Sequence, residues 1–348
     1  MESASKGAGL MQLDEYVAVI AKIYEANDRN RSLWDVWCHT LHHAAAVAER
    51  ARKEAPAIDV CKEVADVALW LFTAVYKLNG RFGETKNSLA ETPVESLIRI
   101  QSQCSDLLWH RYPGMCPFCY ARRAIGDQQA ERNPEFASRC DCLAVNIESG
   151  GKQAKRAAVL EVLAFSEQNR NNKPGSIDEW QEMFATIFHA NLRQLSLTDA
   201  AFHLMEELGE ASDAMARMYS YRVEDFVEGE PNHRQLRLET QIADVFSWLF
   251  AVVEKIDSVR QRGLQFERCR TDAEDLRASP IHLSEIIWRR YGSDNLGSFW
   301  CPFCMNAVCR CPLIFVPATR PLEELKSLFR DSSSVSGDVA DHGKGKTQ

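Results

Sequence analysis

The chain carries one sequence pattern twice, and this internal repeat limits its possible folds more than any other feature. Residues 63–78 (EVADVALWLFTAVYKL) align without gaps on residues 241–256 (QIADVFSWLFAVVEKI), with eight of sixteen positions identical. LDEY at 13–16 matches IDEW at 177–180. LLWHRY at 107–112 matches IIWRRY at 286–291, and a CPFC follows each. The shared order predicts two copies of one folding unit in tandem.

Apolar residues in each copy recur at the spacing of an amphipathic helix. Ile177, Trp180 and Phe184 lie three to four positions apart, and a second such segment begins after Ser196 or Thr198, either of which could cap it. Alternating strand patterns are scarce, so strands should be short and lie beside the cysteines. We predict an all-α fold with helical-bundle units at 11–147 and 177–330, a connector at 148–176, a disordered N-terminus at 1–10 and a disordered tail at 331–348.

Charge and hydropathy restrict the partners. With 41 Lys and Arg against 49 Asp and Glu, the net charge is −8, which makes nucleic acid an improbable partner. Apolar runs fall short of the roughly 20 residues that a membrane span requires, and the N-terminal residues do not resemble a secretory signal. We therefore expect a cytoplasmic protein without a membrane partner, where cysteines serve as metal ligands before disulfides.

Eight of the twelve cysteines form two sets of four. Each set is a C-x2-C followed by a C-x-C, with twenty residues between the pairs in one set and four in the other. Two close thiolate pairs supply the tetrahedral sulfur ligands that zinc prefers, and a closed four-thiolate site is structural. We predict two structural Zn²⁺ sites in loops 116–142 and 301–311, with Cys116, Cys119, Cys140 and Cys142 in one and Cys301, Cys304, Cys309 and Cys311 in the other.

Acidic residues cluster on one predicted helix of the second copy. Glu206, Glu207 and Glu210 lie three to four positions apart, so their carboxylates project from one side and repel one another. Such a cluster is often only a solvated surface. Asp244, however, sits inside the apolar run at 242–253, and a buried carboxylate needs a partner or a metal. Oxygen ligands of this kind suit Mg²⁺ bound to substrate phosphates.

These motifs resemble those of the MazG-like all-alpha nucleoside triphosphate pyrophosphohydrolases. The resemblance rests on E-E-x-x-E at 206–210 and on the E-x-x-D pattern that ends at Asp244. It implies that carboxylates hold Mg²⁺ (or Mn²⁺), with Glu207 and Glu210 as the first pair and Asp244 as the last member. It also implies that the two fused units form an intramolecular pseudo-dimer. Association of two or more chains into a homo-oligomer remains an open possibility.

Neither copy has the full acidic set. Gln241 stands where the third carboxylate is expected, and the first copy keeps Glu63 and Asp66 but has His42, His43 and Ala46 opposite the three glutamates. Three arrangements stay open: three carboxylates with Gln241, a composite site with Glu63 and Asp66, or a site that binds nucleotide without cleaving it.

Three further residues are candidate substrate ligands. Lys255 follows Asp244 by eleven residues and could meet a phosphate, or it could simply end a helix favourably. Trp248 could stack on a base or pack in the core. His203 lies one turn before Glu207 and could face the same cleft, although its match with His39 favours a structural role.

The preferred function is Mg²⁺-dependent cleavage of an NTP or dNTP at the α–β linkage, which yields a monophosphate and pyrophosphate. Glu206 and Gln241 would assist by ligation or by positioning water. Two rivals remain: a non-catalytic nucleotide-binding sensor and a zinc-containing protein-interaction module.

Overall fold

We describe the protein from a computed structural model. The structure describes residues 11–29, 31–80, 98, 100–117, 119, 140, 162–218, 233–271, 280–293, 298–302 and 304–310. The predicted disordered ends, residues 148–161 of the connector, Cys142 and Cys311 lie outside these residues. Below, the N-terminal half denotes the described residues up to 140, and the C-terminal half denotes those from 177 onwards.

The N-terminal half is helical. Its elements are α1 (Leu13–Ile23), the short α2 (Glu25–Asp28), α3 (Leu33–Arg52), α4 (Ala57–Leu78) and α5 (Cys104–Arg111). Ser32 caps α3 by accepting a hydrogen bond from the Asp35 amide. The long helices α3 and α4 pack side by side, and α1 lies against α4.

The C-terminal half has the same order of helices. They are α6 (Ile177–Ile187), α7 (His189–Gln194), α8 (Leu197–Arg217), α9 (His233–Thr271) and α10 (Leu283–Tyr291). Ser176 and Ser196 begin α6 and α8 with capping boxes, so the predicted cap at Ser196 is confirmed. After α10, β1 (Gly292–Ser293) and β2 (Ser298–Phe299) form a small antiparallel pair.

The two halves share one hydrophobic core. Helix α3 packs against α8, and α4 against α9, so the four long helices form the centre of the molecule. Phe72 of α4 stacks on Phe246 of α9 with ring centroids 5.8 Å apart. A backbone bridge between Gln12 and Ser176 also joins the start of α1 to the start of α6. Neither half buries its apolar surface without the other.

The prediction of a mostly helical fold is confirmed, and the described strands are a two-residue pair beside Cys301, as expected. Residues 162–168 of the connector are helical, and Arg170–Asn172 forms a 3₁₀ turn. None of the helices in the described ranges is long and apolar enough to span a membrane.

Candidate functional site

Asp244 is buried on α9, and its partners come from the other half. Arg111, the last residue of α5, donates from Nε to Oδ1 (2.9 Å) and from Nη2 to Oδ2 (3.0 Å). The hydroxyl of Tyr112 donates to Oδ1 at 2.5 Å and lies 3.4 Å from Ser247 Oγ. The sequence correctly indicated that Asp244 needs a partner, and the structure supplies a bidentate arginine.

Asp66, the counterpart of Asp244 on α4, has the reciprocal arrangement. Arg290 at the end of α10 donates from Nε to Oδ1 (3.1 Å) and from Nη2 to Oδ2 (3.4 Å), and the Tyr291 hydroxyl also donates to Oδ1. Each Arg–Tyr pair therefore reaches across to the aspartate of the opposite half. We call these two contacts the exchanged clamps.

Glu63 of the N-terminal half has its bonded partners, His43 and Arg50, in the same half. Glu63 accepts a hydrogen bond from His43 Nδ1 at 2.9 Å, and Arg50 Nη2 donates to its other oxygen at 2.7 Å. Burial by itself raises the pKa of Glu63, but His43 and Arg50 outweigh it and lower the pKa to about 2. Ligand atoms of His43, Glu63 and Asp66 all lie within 4.8 Å of one another. Because Arg50 is bonded to Glu63 and Arg290 to Asp66, these carboxylates do not require an additional cation.

The corresponding surface of the C-terminal half lacks these cations. In the repeat alignment Glu207 replaces His43 and Ala214 replaces Arg50, while Gln241 replaces Glu63. Burial, followed by the negative charges of Asp244 and Glu210, raises the pKa of Glu207 to about 8, although Arg111 opposes the shift. Glu207, Glu210 and Asp244 therefore lie in one electrostatic neighbourhood whose negative charge is only partly compensated.

Glu206 and Glu210 are both exposed, whereas Glu207 is partly buried. His203 Nδ1 lies 3.0 Å from Glu206 Oε2. Within the described part of the chain, Glu207, Glu210 and Asp244 do not form a trio whose oxygens are mutually within 4.8 Å.

Each of the three candidate substrate ligands has a protein partner, and its counterpart in the other copy has the equivalent partner. Lys255 is buried and donates to the Leu192 carbonyl at 2.6 Å, as Lys77 does to the Asp28 carbonyl at 3.4 Å. The His203 ring stacks on Trp248 with centroids 4.3 Å apart, and His39 stacks on Trp70 at the same separation. These paired contacts give the residues structural roles. Their contacts with phosphate or base remain predictions.

Three cysteines of each predicted zinc set come together. The sulfurs of Cys116, Cys119 and Cys140 lie within 4.8 Å of one another, and so do those of Cys301, Cys304 and Cys309. We call these groups the first and second thiol clusters. Five of the six thiols are buried, and each cluster could hold a metal such as zinc.

The second thiol cluster also favours a thiolate. Burial raises the pKa of Cys304, but hydrogen bonds from the Arg310 amide and from Asn306 outweigh it and lower the pKa to about 6. The Arg310 amide lies 3.3 Å from the sulfur. Since a thiolate is the form that ligates metals, this environment suits metal binding.

Sequence reasoning missed several residues that the structure brings to these sites. Arg111, Tyr112, Arg290 and Tyr291 served only to mark the repeat, yet they form the exchanged clamps. Asn27 and Asn191 occupy equivalent positions in the two copies, and both donate to cysteine sulfur. The sequence signal that could have identified them is their identity in the two copies, because a polar residue present at equivalent positions in both halves is expected to make the same contact in each.

Comparison with protein-family models, curated proteins and solved structures finds no match to this chain. The resemblance to MazG-like enzymes therefore rests on the motif residues alone, and any activity has to be argued from the geometry of the site.

Proposed function

We propose that this protein is a Mg²⁺-dependent nucleoside triphosphate pyrophosphohydrolase made of two tandem MazG-like units that form an intramolecular pseudo-dimer. Its carboxylate site lies in the C-terminal unit, on α8 and α9, and the N-terminal unit has become structural. The substrate is an NTP or dNTP, cleaved at the α–β linkage to a monophosphate and pyrophosphate.

The observation that carries this proposal is the difference in charge compensation between the halves. Glu63 is paired with Arg50 and His43, and Asp66 is paired with Arg290. On the other side, Arg111 is bonded to Asp244, and burial together with the negative charges of Asp244 and Glu210 raises the pKa of Glu207 to about 8. A half-buried carboxyl such as that of Glu207 is costly to ionise beside other carboxylates unless a cation joins it. A divalent metal would remove that cost.

Gln241 provides an independent test of whether a cation fits. Its Oε1 is a buried oxygen with no hydrogen-bond partner among the described residues. It lies three residues before Asp244 on α9, hence on the same side of the helix. An unpaired buried carbonyl oxygen costs free energy, and metal coordination would satisfy it. The donor set of Glu207, Glu210, Gln241 and Asp244 is all oxygen, which suits Mg²⁺ or Mn²⁺.

When bound, Mg²⁺ would neutralise phosphate charge and help to generate a nucleophile from water. The chain's own groups supply orientation. Arg111 and Tyr112 fix the Asp244 carboxylate in one rotamer through three hydrogen bonds and leave Oδ2 with accepting capacity. Glu206 and Gln241 complete the site by ligation or by holding the attacking water.

The thiol clusters are the structural part of the proposal. We assign one Zn²⁺ to each, with Cys142 and Cys311, which lie outside the described residues, as the fourth ligands. Four thiolates leave zinc no open position for water. These metals would therefore stabilise the loops that follow α5 and α10 and take no part in hydrolysis.

Incubation of the full chain with a mixed NTP and dNTP pool and Mg²⁺, with products identified by mass, tests the activity. We expect pyrophosphate and a monophosphate from the wild type, and no turnover from Glu210→Gln or Asp244→Asn. Glu49→Gln, at an exposed carboxylate on α3, is the matched control and should retain activity. Absence of product from every nucleotide, with a folded protein, would refute the enzymatic proposal.

A non-catalytic nucleotide sensor is the second candidate, and one observation favours it. Arg111 and Tyr112 already occupy most of the accepting capacity of Asp244, which weakens it as a metal ligand. Calorimetry that shows Mg²⁺-dependent nucleotide binding without pyrophosphate release would select this function over hydrolysis.

A further inference from the structure

The first thiol cluster closes on the opposite half of the molecule. The Cys140 amide donates to the carbonyl of Ile187, the last residue of α6, at 2.6 Å. Asn191 Nδ2 on α7 donates to Cys140 Sγ at 3.3 Å, and both residues are buried. The Ile187 side chain belongs to the same buried cluster as the three cysteines. A cluster from the N-terminal half is thus completed by the C-terminal half.

The second thiol cluster makes the reciprocal contacts. The Cys309 amide donates to the carbonyl of Ile23, the last residue of α1, at 2.5 Å, and Asn27 Nδ2 lies 3.5 Å from Cys309 Sγ. Ile23 and Asn27 are the repeat counterparts of Ile187 and Asn191. The same pair of bonds therefore occurs twice, each time between halves.

These contacts link metal binding to docking of the halves. An N–H donor to sulfur stabilises the thiolate over the thiol and acts as an outer-shell partner of a bound metal. If the asparagine strengthens metal binding, the bound metal must strengthen the asparagine contact equally, because the coupling free energy is reciprocal. The C-x2-C of the first cluster also begins only four residues after Tyr112, which holds Asp244.

We propose that each thiol cluster is an inter-half metal staple: a zinc-class ion bound by the cysteines of one half fastens them to the end of the first helix of the other half and to the asparagine of the short helix that follows it, Asn191 in one staple and Asn27 in the other. This inference rests on the proposed zinc binding, and it adds that each metal stabilises the half that does not supply its ligands.

Hydrogen exchange on the full, metal-loaded chain tests the inference with a crossed pair of variants. Cys119→Ser disables the first cluster and should increase amide exchange at 187–194, while exchange at 23–28 stays as in the wild type. Cys304→Ser disables the second cluster and should give the reverse pattern. Each variant is the matched control of the other. Exchange changes confined to the half that carries the substitution would overturn the staple.

A second measurement keeps all cysteines intact. In a Co²⁺ titration followed by thiolate-to-cobalt charge-transfer absorbance, Asn191→Ala and Asn27→Ala should each weaken one of two sites by about 10–100-fold. Asn169→Ala, at a local helix-end hydrogen bond, serves as control and should leave both affinities unchanged. Wild-type affinity in both variants, with two ions bound, would overturn the staple alone. A wild-type chain that binds no metal would overturn the zinc proposal as well.

Discussion

Replacement of Glu207 by glutamine separates electrostatic repulsion from metal binding. The carboxylate of Glu207 is half-buried on α8 beside Asp244 and Glu210. Glutamine keeps the shape of the side chain and one carbonyl oxygen but removes the charge. Without divalent metal, Glu207→Gln should therefore be more stable than the wild type. With Mg²⁺ present, the wild type should become as stable as Glu207→Gln or more stable.

The magnitude follows from the pKa of Glu207. A rise from 4.5 to about 8 means that at pH 7 the folded state retains a proton that the unfolded chain has lost. Over the 2.5 pH units between 4.5 and 7, linkage gives a cost of about 3 kcal/mol. Because the group is partly exposed, solvent screening reduces this to ~1–2 kcal/mol. The glutamine variant should gain that amount in its free energy of unfolding.

Urea unfolding at pH 7, with and without Mg²⁺, measures both effects. A ligand at about 100 times its Kd adds about 2.7 kcal/mol to the free energy of unfolding. The wild type should show a Mg²⁺-dependent increase of this order at saturating metal. Glu207→Gln should show a much smaller one, since it has lost a charged oxygen ligand.

Glu49→Gln is the control, because Glu49 is an exposed carboxylate paired with Lys53 on the matching helix α3. It should change neither the stability nor the response to Mg²⁺ appreciably. The reasoning would be refuted by a Glu207→Gln protein that is less stable than the wild type without metal, or that gains as much from Mg²⁺.

Three further predictions concern stability and are checked by urea unfolding. Arg111→Ala leaves the buried Asp244 carboxylate without its positively charged partner and should cost about 3–5 kcal/mol in the free energy of unfolding. Arg111→Lys, which cannot form the bidentate pair, should restore only part of that loss. Equal stability of the wild type and both variants would contradict the clamp. Burial raises the pKa of Asp28 to about 7 against the opposing charges of Arg31 and Lys77. The folded protein therefore keeps this carboxyl protonated up to about pH 7, whereas the unfolded chain loses the proton near the ordinary pKa of 3.8. The free energy of unfolding falls by up to ~4 kcal/mol as the pH rises from about 4 to 7. Asp28→Asn should abolish this part of the pH dependence, and an unchanged slope would count against it. Ser196→Ala should lose ~1 kcal/mol by removing the cap of α8, and no loss would mean that the capping box contributes nothing.

Local features of the fold were predictable because they depend on neighbours in sequence. Helical periodicity, the cap at Ser196 and the brief strands beside Cys301 all follow from residues within a few positions of one another. The spacing of the cysteines likewise indicated which sulfurs meet, and six of the eight lie in clusters among the described residues. Within the carboxylate site, the i, i+3 spacing placed Glu207 and Glu210 on one side of α8.

The partners of the buried charges were not predictable in the same way. Asp244 is 133 residues from Arg111, and Asp66 is 224 residues from Arg290. Asp244 was expected to need a partner or a metal, and only the structure shows that Arg111 and Tyr112 are its bonded partners. Lys255 and Trp248 were candidate ligands for a nucleotide, but the structure also gives them internal partners in Leu192 and His203.

The sequence by itself determined the helices, their order and the repetition of that order, since hydrophobic periodicity and capping act over a few residues. Only the tertiary structure decided that each Arg–Tyr pair and each thiol cluster serves the opposite half. The physical reason is the repeat itself. Either half presents the same aspartate, helix end and asparagine, so an Arg–Tyr pair or a thiol cluster could contact those of its own half or those of the opposite half. Local sequence cannot separate two such complementary partners, and packing of the shared four-helix centre selects between them.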